Sequence, residues 1–138
     1  MKLWRICRLG IFLLTVCILA GAFSAQAQET PVLEGTTWEV SVLSIVGFTT
    51  STATFVFSNG MLSINDWLFT LDPGIYQENA HGNVISFNAT LEKPGIVQKQ
   101  IFEVQGAAML EEKIAGLLHN ATTNMYYIFW GDPLPPIQ

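Results

Sequence analysis

From residue 35 onward the chain runs in short stretches whose apolar and polar residues alternate with a period of two, each broken by Gly, Asn, Asp or Pro. A strand points successive side chains to opposite faces, so this alternation predicts strands with one buried side. Residues 37–42 place Trp38, Val40 and Val42 on one face and Thr37, Glu39 and Ser41 on the other. Residues 52–57 do the same, with Phe55 and Phe57 opposite Thr54 and Val56. Asn59-Gly60 follows directly, and a two-residue Asn-Gly loop is a strong hairpin signal because both positions need positive φ. Residues 61–64 are then the return strand.

The middle of the chain is less regular. Residues 67–71 are compatible with a short strand, Asp72-Pro73-Gly74 with a turn, residues 75–78 with another strand, and residues 79–83 with a polar loop. Clear alternation returns at 84–91, where Ile85, Phe87 and Ala89 face away from Ser86, Asn88 and Thr90. After Lys93-Pro94-Gly95, residues 97–105 turn Phe102 and Val104 inward and Lys99, Glu103 and Gln105 outward. Gly106 and Glu111-Glu112 bracket a connection. Residues 113–119 form a strand in which Gly116 marks a pinch or bend. Residues 125–130 form the last strand, and Asp132 opens a Pro-rich tail. A helical stripe can be drawn through residues 107–118, but Gly106, Gly116 and the flanking strands argue against it. Strands at this spacing with short links predict an all-β fold: a single up-and-down antiparallel β-barrel of about eight strands.

The N-terminus reads as an export signal. Lys2, Arg5 and Arg8 precede an apolar run over residues 9–23, and Ala25-Gln26-Ala27 supplies the small residues of a cleavage site. The run is shorter than the roughly 20 residues that span a bilayer, so cleavage after Ala27 and a secreted or periplasmic product are expected. Cys17 follows Val16, which is too large for the position before a lipidated Cys. The expected organisation is a leader over residues 1–27 and a barrel with its tail over residues 28–138. Removing the leader takes away both cysteines and every Arg. It leaves three Lys against eleven Asp and Glu, a net charge of −8. Nucleic acid and anionic membrane surfaces call for clustered Lys and Arg, so neither is expected as a partner, and no stable membrane insertion is expected. A core must hold the domain without a disulfide, which about 110 residues can do.

Chemistry-bearing groups are sparse. His81 and His119 are the two histidines, fewer than the three or four ligands of a structural metal site. No Ser sits in Gly-x-Ser-x-Gly, and Glu39, Glu103, Glu111 and Glu112 read as solvated outward positions. A non-catalytic protein without cofactor or metal is expected. Asn88-Ala89-Thr90 and Asn120-Ala121-Thr122 match the glycosylation sequon and read as incidental.

The Gly-Thr-Thr-Trp38 opening resembles that of small secreted lipocalin-like barrels of bacteria and, more loosely, the calycin superfamily. So do Phe55-Val56-Phe57-Ser58-Asn59-Gly60-Met61-Leu62, Asn83-Val84-Ile85-Ser86-Phe87, Lys113-Ile114-Ala115-Gly116 and the terminal Tyr127-Ile128-Phe129. The chain departs from that pattern in three ways. Gly35 lies three residues before Trp38 instead of two, no Arg is available to cover that Trp, and the Thr-Asp-Tyr loop is missing. The resemblance implies a barrel open at one end to small apolar molecules.

Trp38, Phe55, Phe57, Phe87, Phe102, Tyr127 and Phe129 are the candidate ligand-binding residues, and they equally suit a barrel filled by its own side chains. Without Arg, a ligand in such a cavity is expected to be apolar or neutral. The alternative is a protein-interaction barrel, a secreted inhibitor or envelope-associated module. Residues 125–130 are apolar on both faces, so Tyr126, Ile128 and Trp130 either lie under a loop or the N-terminal lead-in, the favoured reading, or offer a patch to a protein partner. The tail prolines would suit an extended recognition segment.

Overall fold

The computed structural model describes residues 32–136; the expected leader, its cleavage site and both cysteines lie outside them. Eight strands follow in order: β1 (Thr37–Ser44), β2 (Thr50–Ser58), β3 (Met61–Asn65), β4 (Gly74–His81), β5 (Val84–Lys93), β6 (Gln100–Met109), β7 (Lys113–Asn120) and β8 (Met125–Pro133). Each pairs antiparallel with the next, and β1 pairs with β8 to close the barrel. This is the single up-and-down barrel that the alternation predicts, and it is compatible with a lipocalin-like fold.

Register follows from which face is apolar. A slip of one residue would turn every inward side chain outward. Trp38 therefore pairs with Phe55 and Pro133, and Val42 with Phe129. The Asn59-Gly60 turn has φ of +56° and +72°, both positive as a tight hairpin requires.

In such a barrel successive loops alternate between the two ends. The β1–β2, β3–β4, β5–β6 and β7–β8 loops share one end, called the rim below. The far end carries the β2–β3, β4–β5 and β6–β7 turns and the chain entering β1.

Several sequence expectations are corrected. Residues 67–71 form an irregular loop, touched by one isolated bridge between Asp72 and Glu92. Their aromatic side chains are used to cap the barrel rather than to alternate in a sheet. β4 runs on to His81, so the polar loop shrinks to the turn before Val84. β6 begins at Gln100 and continues through Gly106 to Met109. Residues 97–99 are thus loop, while residues 107–118 are the end of one strand and most of the next, without the helix that Gly106 and Gly116 argue against. β8 takes in Asp132 and Pro133, two residues assigned to the tail. Pro133 stands at a strand end, where a missing N–H is tolerated.

Candidate functional site

The seven candidate residues all point into the barrel and all are buried. They lie in tiers along the axis. Trp38 sits towards the far end, its indole N–H donating to Thr36 Oγ1 at 2.9 Å. Phe57 meets Phe87 edge-on at 5.1 Å between ring centroids. Phe55 and Phe129 are 4.9 Å apart, and Phe129 lies 6.4 Å from Phe87. Phe102 and Tyr127 occupy the rim end. These separations fall in the range that tilted and edge-to-face rings prefer, so Phe55, Phe57, Phe87 and Phe129 form one cluster of touching rings in the middle of the barrel.

Two glycines set how far the rings reach. Gly106 and Gly116 face each other across β6 and β7. A Cβ at Gly106 would lie 2.7 Å from the Phe87 ring tip and 2.8 Å from that of Phe129. One at Gly116 would lie 2.5 Å from Phe129. The rings pack directly on the bare backbone of the strands next to them, Phe87 of β5 over β6 and Phe129 of β8 over β7.

Sequence reasoning missed the two closures. At the rim the β3–β4 loop folds Trp67 over the mouth. Its ring lies 5.1 Å from Phe69, 5.3 Å from Tyr127 and 5.8 Å from Phe102, and its N–H donates to Ser51 Oγ at 3.0 Å. Phe69 lies 5.7 Å from Phe102 and beneath the Lys93 ammonium, 4.6 Å from the ring centre. The burial of Tyr127 pushes its phenol pKa up. At the far end Leu33 is fully buried, and its N–H donates to Glu78 at 2.8 Å. Beside it the Glu34 carboxylate accepts from the Asn59 and Gly60 N–H groups and from the Tyr76 hydroxyl. The Gly60 N–H, then the Tyr76 hydroxyl, holds the Glu34 pKa below its ordinary value. Burial, and then Glu34 itself, raises that of Tyr76. The signal that could have been read was Trp67-Leu68-Phe69 between two Asp residues, too apolar for an idle loop and without alternation.

The other polar groups lie outside. Lys99 pairs with Glu92 at 3.0 Å and Lys113 with Asp132. His81 is exposed at the end of β4. His119, on the outer face of β7, contacts Glu103 at 3.1 Å and Asn124 at 3.0 Å and stacks on Tyr126 at 4.3 Å. The bonds to Asn124 and then Glu103 raise its pKa. The small groove beside it, about 140 Å³, is lined by Glu103, Gln105, Leu117, His119 and Tyr126. That lining offers an imidazole but no Ser, Thr or Cys for it to activate. Asn120, the centre of one sequon, is buried: its amide donates to Gln100 and its oxygen accepts from the Thr122 and Thr123 N–H groups. Among the described residues no group of three His, Cys, Asp or Glu is placed to hold a metal.

On the outer face of β8, Tyr126, Ile128 and Trp130 are 43%, 39% and 45% exposed. No described segment lies over them to the extent that the expected intramolecular cover required. Register extends the patch sideways: Ile128 stands between Leu43 on β1 and Leu117 on β7. Trp130 stands between Ser41 and Ala115. Ile45 donates its N–H to the Tyr126 carbonyl at 3.2 Å. The chain matches no family model, no curated protein and no solved structure.

Proposed function

We propose that the protein is a non-catalytic interaction module that binds a protein partner through the outer face of β7, β8 and β1. One observation carries this reading: Tyr126, Ile128 and Trp130 are laid side by side with Leu43 and Leu117 on the solvent side of a barrel whose interior is taken up by its own rings. Cross-strand neighbours stand about 5 Å apart, so these side chains form one surface, of a kind that marks interaction sites on soluble domains. Tyr and Trp are enriched at the energetic centres of interfaces. The pattern-level likeness to secreted lipocalin-like barrels supports an extracytoplasmic setting.

Binding of a small apolar or neutral ligand within the barrel, among Phe55, Phe87, Phe102 and Phe129, is the second reading. The Trp67 loop favours it, because this irregular segment is the one element that could swing from the mouth. Such a ligand would also have to displace rings already in contact.

The test is capture from periplasmic or culture fluid by the protein and by Ile128→Ser/Trp130→Ser. Both positions are outward and half-exposed, so the thermal midpoint is expected to move little, within about 1 kcal/mol of stability. A partner retained by the parent and lost by the variant is the expected result. Equal recovery by both, or none by either, contradicts the assignment.

A further inference from the structure

Three rim loops end in apolar side chains that stand clear of the barrel. Val46 and Phe48 lie on the β1–β2 loop, Leu68 on the β3–β4 loop, and Ile96 and Val97 on the β5–β6 loop. Phe48 is 81% exposed, and Ile96 and Val97 are wholly exposed. Up-and-down topology places all three loops at the same end. We propose that this rim is a bilayer-contact surface, at which the loop tips enter the headgroup region of a zwitterionic lipid membrane without spanning it.

Four observations choose a lipid surface over other occupants. The tips are convex and separate. A rigid protein would need a matching hole for each, whereas a fluid interface closes around any of them. The tips carry no charge. Of the ten carboxylates in the described residues, Asp66, Asp72 and Glu92 are near the rim, where Lys93 and Lys99 offset them. The remaining seven lie on the wall or at the far end, so the molecule presents its near-neutral end to the membrane and its acidic body to water. The β1–β2 loop pairs part of its backbone internally: the Ser44 N–H donates to the Thr49 carbonyl at 2.9 Å, and the Ser44 hydroxyl to the Val46 carbonyl at 2.8 Å. That lowers the desolvation cost of moving the loop into a less polar medium. Finally, Phe48 has φ of +52°, an unfavourable region for a bulky side chain. The ring stands 81% exposed there and makes no use of the core. Exposed aliphatic and aromatic side chains with uncharged flanks are the pattern that partitions to a membrane interface. The acidic body predicts weaker binding as anionic lipid is added.

The test uses the exported chain, residues 28–138, in co-sedimentation with phosphatidylcholine vesicles, beside Val46→Ser/Phe48→Ser/Ile96→Ser/Val97→Ser. The apolar run at residues 9–23 is absent from both, so the difference reports the rim alone. At least a tenfold loss of bound fraction is expected, with an unchanged thermal midpoint. Phe48→Trp, read with brominated acyl chains, is expected to show quenching above that of the parent's own tryptophans. Equal sedimentation of parent and variant, no sedimentation of either, or an unquenched Trp at position 48 overturns the proposal. So does a variant whose only change is a smaller mass in solution, which would make the rim a contact between copies of the chain.

Discussion

Gly106 and Gly116 let the Phe87 and Phe129 rings lie on the bare backbone of the neighbouring strands. A methyl group at Gly106 would stand inside van der Waals contact with both ring tips, and overpacking a filled interior costs about 1–3 kcal/mol. Gly106→Ala is therefore expected to lower stability in urea unfolding. Adding Phe129→Leu should recover part of the loss, a coupling that a double-mutant cycle reads directly. The sequence marks Gly116 as a pinch through its break in alternation. It does not mark Gly106, because strand register decides that Phe87 on β5 and Gly116 on β7 stand beside it. Glu34 is a second residue whose role depends on remote partners. Its hydrogen bonds favour the ionised form, so its folded pKa lies below the ordinary 4.5. The stability it contributes is complete above that value and is lost as pH falls through the folded pKa. Glu34→Gln should be less stable than the parent at neutral pH, and the gap should narrow below pH 4.5 in thermal melts across pH.

At the scale of elements, the β3–β4 loop stands apart from the rest. The hairpins were legible because alternation and turn chemistry agree, as at Asn59-Gly60. The loop is compatible with a short strand in the sequence, because an apolar stretch too short to show a period does not reveal whether it pairs or plugs. Its Trp67 touches Phe69, Phe102 and Tyr127 at once, and β3 and β4 beneath it pair through only Met61–Ile75 and Leu62–Gly74. Trp67→Ala removes a large, partly buried ring, and a loss of about 2–3 kcal/mol is expected, below the range for a fully buried aromatic. The same variant should bind an apolar reporter dye more strongly than the parent, since the mouth above Phe102 would stand open. A variant with parental stability and no dye binding would mean that the loop is not a closure.

Over the whole molecule, the inward set and the outward set divide the work. Alternation assigned Trp38, Phe55, Phe57, Phe87 and Phe102 to one side, and the barrel buries them together with Tyr127 and Phe129 from a strand apolar on both faces. Whether such a set encloses space depends on ring separations and on plugs from outside the strands. Leu33 and Trp67 supply those plugs, and neither stands in an alternating run. The outer patch was half legible: residues 125–130 showed two apolar faces, but its continuation to Leu43 and Leu117 needs the register of three strands.

The central claim is that the molecule acts from its surface because its interior is already occupied. Xenon enters dry apolar cavities of small-molecule size, so diffraction from a xenon-pressurised crystal tests the claim most directly. The expected map shows no xenon along the barrel axis. A well-occupied xenon site bounded by Phe55, Phe87 and Phe129 would contradict it and favour the reading in which a small apolar ligand binds within the barrel.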